Sequence, residues 1–417
     1  MSVIAGSVAA FESDGAMRRA RQGIVLLWCA IAVALCCKAW FAPTDHTTYP
    51  CFEAGARCWQ TDRDMYDTQI CGHEYRYSPT FSVLFVPFAS LPTHWGGMLW
   101  SLLNVTVLVW SLRRSVRDLL PAKWTPMALV TFHALVALAS LRGLWSAQSN
   151  LLIFSCIAVG AASIARRQWW LAATLLAAPV YIKVWPLAAG MLFVAAWPRQ
   201  LGWRFVISMI ALALIPFATR PLGIVVGHYY EFVSALVGPM QERHIYRDAW
   251  TIWELLHPPV PPRGYQGLQL VAAGGALAVT LWARWRQVSG RMTTGSALST
   301  ILGIWTVWQL VFGPGVERNT ICLIAPLTAW GLILSHQSAS TWGKLWMGAG
   351  FGLTTLFSFG VFERLLLPVM PAVLAALPCG SLCFGVWLLR YAEPPQVLQD
   401  GAASTQADQK QHWRAAA

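Results

Sequence analysis

Long apolar stretches follow one another along almost the whole chain, separated by short polar or charged segments. A helix needs roughly 17 to 25 mostly apolar residues to cross a bilayer. This criterion predicts spans at 24–41, 95–112, 125–142, 148–165, 203–219, 266–283, 297–313, 319–335, 345–362 and 365–389. The stretch 169–198 is too long for one span and carries Lys183 in its middle, so it predicts two short helices. The pattern therefore predicts an all-α polytopic membrane protein of about twelve transmembrane helices.

The same pattern predicts the domain organisation. Residues 1–22 form a polar arm and 391–417 a polar, proline-containing tail, and we expect both to be disordered. Residues 23–390 form one transmembrane domain, whose first span is an uncleaved anchor. Two loops are long, 42–94 and 220–265. The apolar run 80–91 in the first loop is too short to span and is punctuated by prolines, so it predicts a short helix at the membrane interface.

Charge predicts the orientation. The chain is 56% hydrophobic and only 12% charged, with 30 basic and 18 acidic residues. If the N-terminus is cytoplasmic, 18 basic and six acidic residues fall on the cytoplasmic side, so the whole net charge of +12 lies there. This predicts a multi-pass protein of the inner (plasma) membrane with both termini cytoplasmic and the long loops outside. The basic residues form short clusters at helix ends, which indicates membrane lipids and no nucleic acid as partners.

Acidic residues concentrate in one outer segment. Six of the 18 carboxylates lie within 42–80. Asp45 follows the first span, Lys183 lies between two short helices, and Glu317 and Arg318 follow a glycine- and proline-containing turn at the same outer level. Ionisable groups near a membrane indicate function. The structural alternatives are a lysine that reaches the headgroups, an internal Glu317–Arg318 pair and a solvated aspartate.

Several blocks resemble glycosyltransferase family 87, whose members are polyprenyl-phosphate-sugar-dependent membrane transferases of the GT-C superfamily. The blocks are Asp45 with Tyr49 and AGARCW, then DRDMYD, EYRYSPTFSVLFVPFASLP, LWSLLN, AQSN (147–150), YIKVWP (181–186) and GPGVERNTICLIAPLTAW (313–330). The glycine that precedes the first-loop tyrosine in the family is missing, and 238–257 matches no block. The resemblance implies a GT-C-type helical bundle with short interfacial helices in its first outer loop. It also implies transfer of a hexose, with mannose favoured, from a polyprenyl-phosphate donor to an extracytoplasmic glycolipid or glycan acceptor.

The chemistry assigns roles to residues of these blocks. A phosphate leaving group needs cationic neutralisation, whereas the acceptor hydroxyl must lose a proton to a base. We expect Asp45 to be the base, with Glu53, Glu74 and Glu317 as spare candidates, and the anomeric centre to be inverted. The predicted substrate-binding residues are Lys183, Arg318, Arg76, Glu317, Tyr49, Tyr77, Gln148 and Asn150. No metal or other cofactor is indicated.

Other features favour no separate function. Asp62-Arg63-Asp64 resembles a metal-binding D-x-D motif, but we expect it to be solvated loop. Cys51, Cys58 and Cys71 permit one disulfide in an oxidising compartment. The alternative function is a secondary transporter or a lipid-handling membrane protein. Transporters usually place carboxylates near the membrane midplane and contain related halves, and neither feature is visible in this sequence.

Overall fold

Residues 2–237, 248–250, 262–338 and 340–392 are described by the structure, a computed structural model. The first part of the chain forms α1 (Ser2–Phe41), α2 (Tyr49–Gln60), α3 (Thr68–Cys71), α4 (Pro79–Ala89), α5 (Thr93–Asp118), α6 (Pro126–Trp145), α7 (Asn150–Ala165), α8 (Trp169–Ile182), α9 (Leu187–Ala196) and α10 (Pro198–Leu214). The second part forms α11 (Leu222–Val237), α12 (Pro262–Val288), α13 (Thr294–Phe312), α14 (Ala325–Gln337), α15 (Thr341–Leu356), α16 (Val361–Leu366) and α17 (Ala376–Arg390). Short 3₁₀ turns precede or extend several of these helices, at Ile215–Ala218, Thr320–Ile324, Phe357–Phe359 and Pro371–Ala375.

Within the described residues, eight helical stretches are long and apolar enough to cross a membrane. They are Gly15–Phe41, Thr93–Asp118, Pro126–Trp145, Pro198–Ala218, Gly264–Val288, Thr294–Phe312, Thr320–Gln337 and Val373–Arg390. The prediction of an all-helical fold with several candidate membrane spans is confirmed for the described residues. The count of about twelve stays a prediction. Helices α7, α8 and α9 are apolar, but with 16, 14 and 10 residues they are shorter than the length required of a span.

Both ends of the transmembrane region differ from expectation. Helix α1 begins at Ser2 and continues into the first span, because no proline interrupts the arm and its alanines and arginines favour a helix. The predicted single span 365–389 is divided into α16, a 3₁₀ turn and α17, because Pro368 and Pro371 interrupt the helical hydrogen bonding. Residues 393–417, most of the predicted tail, lie outside the described residues, as does most of 238–257.

The centre of the bundle is formed by α7 and α13, which are buried along most of their length. Helix α7 packs against α5, α8 and α13. Its small and apolar face residues let these neighbours approach closely, as Gly160 against Leu176 of α8 illustrates. One end of α7 therefore provides a rigid position for side chains in its first turn.

The loop 42–94 folds into a small helical unit formed by α2, α3 and α4. Ser78 begins α4 by accepting a hydrogen bond from the Phe81 backbone N–H, and its hydroxyl donates to the carbonyl of Tyr181 in α8. Phe52 of α2 makes edge contacts with Phe81 and Phe85 of α4. The predicted short helix in this loop is therefore present, and much of its surface is buried against the protein.

Candidate functional site

Lys183 lies in the turn between α8 and α9, outside the eight long spans. Its backbone is extended, with φ −141° and ψ 145°, and Pro186 begins the next helical segment. Pro186 disfavours helical geometry at the residue before it, Trp185, which favours a break between α8 and α9. The Lys183 ammonium donates to Asn150 Oδ1 over 3.1 Å and lies 5.9 Å from the centre of the Tyr77 ring. Three separate segments of the chain thus meet at one cation.

Asn150 opens α7 and is almost completely buried. Its side chain is used at both ends, because Oδ1 accepts from Lys183 and Nδ2 donates to the Asn319 carbonyl over 3.1 Å. The turn before it contains Ala147 with a positive φ of 51° and the buried Gln148. An amide that is hydrogen-bonded at both its oxygen and its nitrogen has a fixed orientation. Asn150 therefore fixes Lys183 and the 313–319 loop relative to each other.

Glu317 is the carboxylate that acts electrically on this cation. Burial lowers the pKa of Lys183, and the nearby negative charge of Glu317 opposes that shift. Burial also raises the pKa of Tyr77, and the negative charges of Cys51 and Glu317 raise it further. The loop that carries Glu317 is shaped by Gly315, whose φ is +69°, and by Thr320, whose hydroxyl accepts the Glu317 backbone N–H. The structure thus brings together four of the predicted binding residues, Lys183, Asn150, Tyr77 and Glu317, and their contacts with substrate stay predictions.

Two guanidinium groups approach a glycine beside this cluster. Gly360 has a φ of +61°, and a Cβ on it would overlap Arg318 Nη1 and lie 3.4 Å from Arg142 Nη1. Arg142 Nε also donates to Asn319 Oδ1 over 2.9 Å. Sequence reasoning named Arg318 but missed Arg142 and Gly360. Arg142 lies in the last turn of α6, just before the turn that contains Gln148 and Asn150, a common position for an arginine that gave no specific signal.

Asp45 lies in the short loop between α1 and α2. Its side chain is 66% exposed, and Oδ1 is 3.5 Å from His46 Nε2. Thr48 fixes the loop, because its backbone N–H donates to the Ser146 carbonyl over 3.0 Å and its hydroxyl bonds the same turn. The turn at Ser146 leads directly into Asn150, so Asp45 and Lys183 lie at the same end of the bundle.

The spare carboxylates of the loop have partners within the loop unit. Glu53 is buried, and its Oε1 accepts from Arg57 over 2.6 Å and from Thr93 over 3.0 Å. Glu74 forms an ion pair with Arg76, with Oε1 2.7 Å from Nη2. These contacts stabilise the loop unit. Asp45 is more exposed than either of them.

The sequence matches glycosyltransferase family 87 over residues 75–314, more than half of the chain. The chain belongs to this family. No curated protein matches it. The family 87 protein is therefore a membrane glycosyltransferase, and the suspected family is confirmed. The matched range includes Arg76, Tyr77, Gln148, Asn150 and Lys183, whereas Asp45, Tyr49, Glu317 and Arg318 lie outside it.

Two further predicted residues take part in packing in this family 87 protein. Tyr49 is buried, and its hydroxyl donates to the Phe88 carbonyl over 3.1 Å while its ring packs beside Gly97. Gln148 is also buried, and its backbone N–H donates to the Gly143 carbonyl. The structure places Gln148 next to Asn150 but gives Tyr49 a position in the core of the loop unit. Their substrate contacts stay predictions.

The D-x-D sequence has structural contacts. Asp62 forms an ion pair with Arg220, with Oδ1 2.5 Å from Nε, and Asp64 Oδ1 accepts from the Tyr66 backbone N–H over 2.8 Å. Arg220 also donates to the carbonyls of Trp59 and Gln60 at the end of α2. Arg220 therefore joins the start of the second long loop to the first, and the expectation of a merely solvated loop missed this contact. Among the residues that the structure describes, no group of His, Cys, Asp and Glu side chains could hold a metal ion.

The loop cysteines are close together as free thiols in this structure. Cys58 and Cys71 are buried and hydrogen-bond to each other, and burial raises the pKa of the Cys71 thiol. A raised pKa disfavours the reactive thiolate. The one disulfide that an oxidising compartment would permit among the three cysteines stays a prediction.

Proposed function

We propose that this family 87 protein transfers a hexose, with mannose as the first candidate, from a polyprenyl-phosphate donor to a glycolipid or glycan acceptor outside the membrane. The observation that carries the proposal is the position of Lys183. Its ammonium is held by Asn150 at a break between two short apolar helices, at the same end of the bundle as the exposed Asp45.

The arrangement supports a displacement in which phosphate leaves and a hydroxyl attacks. The bond between the anomeric carbon and the phosphate oxygen breaks, and the phosphate takes the electron pair. Lys183 stabilises that negative charge, and Arg318 is the second proposed contact. Asp45 takes the proton from the acceptor hydroxyl as its oxygen bonds to the anomeric carbon from the opposite face. One displacement inverts the anomeric centre.

Tyr77 and Asn150 complete the proposed donor site by orienting the cation. The Tyr77 ring lies near the ammonium on one side, and Asn150 bonds it on another. Donor phosphate would meet a positive charge whose position is already fixed, so little orientation is lost on binding. We propose that Gln148 and Tyr49 contribute to the acceptor side through the turn and loop that adjoin Asp45.

The decisive experiment is transfer by the purified protein in liposomes with a panel of polyprenyl-phosphate sugars. Lys183→Ala should impair donor use strongly while leaving the helical fold intact, and Lys183→Arg should retain part of the activity because the charge persists. Wild-type turnover by Lys183→Ala would contradict the phosphate role. Flux of a sugar across the vesicle membrane without transfer would support the transporter alternative.

The base is tested by charge removal at constant size. Asp45→Asn should lower transfer by roughly 100-fold or more, with donor affinity nearly unchanged. Asp64→Asn is the matched control, because an amide oxygen can still accept from the Tyr66 backbone N–H. If Asp45→Asn is active and Glu317→Gln is inactive, Glu317 is the base.

The orientation requires its own test. Single cysteines at positions 113 and 284 should be labelled from the cytoplasmic side, and single cysteines in loops 42–94 and 220–265 from outside. Labelling of position 113 or 284 from outside would overturn the proposed topology, whatever the transfer assay shows.

A further inference from the structure

A cleft lies at the far end of α8 from Lys183. It has a volume of about 410 Å³ and is lined by Arg167, Gln168, Trp169, Trp170, Leu171 and Arg204. This volume is in the range of small-molecule sites. The 14 residues of α8 separate the cleft from Lys183 by about 21 Å, so it is distinct from the proposed transfer site.

The cleft has the composition of a membrane interface. Trp170 and Trp203 are each 49% exposed, and Leu171 is exposed beside them. The Arg204 guanidinium lies 4.2 Å from the centre of the Trp203 ring and 5.7 Å from that of Trp170. Tryptophan is enriched where acyl chains meet headgroups. An arginine stacked on a tryptophan face directs its N–H groups in the plane of the stack, away from the ring face.

Positive charge in the cleft is not neutralised by the carboxylates that the structure describes. Arg167 is exposed, and no described carboxylate lies within 4 Å of it or of Arg204. Asp118 at the end of α5 is held by the neighbouring Arg166 through two bonds of 2.8 and 3.0 Å. Arg204 donates through Nη1 to the Gln200 carbonyl over 2.6 Å, and within the described residues its buried Nε makes no hydrogen bond. The site therefore offers two cations to an anion.

We infer that this cleft binds the phosphate headgroup of an anionic glycerophospholipid, with Arg167 and Arg204 on the phosphate and the tryptophans beside the acyl chains. Basic pockets between membrane helices are suited to such headgroups. A soluble anion would gain the charge contacts alone, whereas a lipid also covers the exposed Trp170 and Leu171. The site is thus built for a lipid and not for free phosphate.

The test measures thermal unfolding of the full-length protein in a neutral detergent while phosphatidylglycerol, phosphatidylcholine or inorganic phosphate is added. Phosphatidylglycerol should raise the unfolding temperature in a saturable way, because a ligand that binds the folded state stabilises it. Arg167→Gln and Arg204→Gln should each weaken the apparent affinity by roughly fivefold, and the double variant carries both substitutions. Arg113→Gln removes an exposed arginine outside the cleft lining and should leave the affinity unchanged.

Three outcomes would overturn the inference. They are an unchanged phosphatidylglycerol affinity in the double variant, an equal effect of phosphatidylcholine, and an equal effect of inorganic phosphate alone. If the double variant does not purify as a folded protein, Arg167→Gln alone decides, because its side chain is exposed and its removal spares the Arg204 stack. Native mass spectrometry of retained lipid provides the second measurement.

Discussion

Asn150 offers the sharpest test of what Lys183 does. Asn150→Ala removes both amide contacts, to the Lys183 ammonium and to the Asn319 carbonyl. Asn150→Asp keeps an oxygen facing Lys183 but places a negative charge on it. The first change frees the cation, and the second neutralises it where it stands.

The structure gives the expected magnitudes. A hydrogen bond to a charged group contributes about 1.5–3 kcal/mol and a neutral one about 0.5–1.5 kcal/mol. If the Lys183 bond orients the ammonium for the transition state, its loss in Asn150→Ala corresponds to roughly 10- to 100-fold in kcat/KM. Asn150→Asp should cost at least about tenfold, because the new carboxylate competes with the donor phosphate for the same ammonium. Its effect should appear mainly at limiting donor.

The assay is steady-state transfer with varied donor, together with thermal unfolding of each variant. Asn104→Ala is the control, because Asn104 is also buried but its amide donates only within α5, to the Trp100 carbonyl. Wild-type kcat/KM in Asn150→Asp would refute the reasoning, since a lysine that serves only as a structural contact tolerates an ion pair.

Two other predictions follow from close contacts. Gly360→Ala should lower both the rate of transfer and the unfolding temperature. A positive φ costs a residue with a Cβ roughly 1–2 kcal/mol, and the added methyl group displaces Arg318. Gly348→Ala is the control and should be neutral, because its added methyl group meets no atom within 4 Å. Full activity of Gly360→Ala would show that the position of Arg318 is unimportant. Arg220→Ala should destabilise the junction of the two long loops, because it removes the Asp62 ion pair and the bonds to the end of α2. Asp62→Asn removes only a half-exposed pair of about 0.2–1 kcal/mol, so equal effects of the two variants on the unfolding temperature would contradict this order.

The sequence predicted most of the helices because a long apolar run has the length that a membrane-spanning helix requires. It also predicted that Lys183 would interrupt an apolar stretch, since a charge and a proline disrupt one there. Helix ends depended on local signals, such as the prolines that divide 365–389, which a hydropathy window averages away.

The site was predictable only in part, because its contacts join distant segments. Asn150, Tyr77 and Glu317 were predicted because they lie in sequence blocks that resemble the family, and the structure places them near Lys183. Nothing local distinguishes Arg142 from an arginine at a helix end, or Gly360 from a packing glycine. Their roles depend on α6, the 313–319 loop and the segment before α16 meeting in three dimensions.

The shortness of α8 and α9 has a consequence for the lipid bilayer itself. At 1.5 Å per residue they extend about 21 and 15 Å, against a hydrocarbon core of roughly 30 Å. Such a mismatch is relieved by local thinning of the membrane around the pair. We expect the water boundary to bend inward toward Lys183 there. If the donor is the lipid-linked sugar proposed above, its headgroup meets Lys183 without lifting the lipid tail, and bilayer thickness becomes a variable that sets how readily the donor reaches the cation.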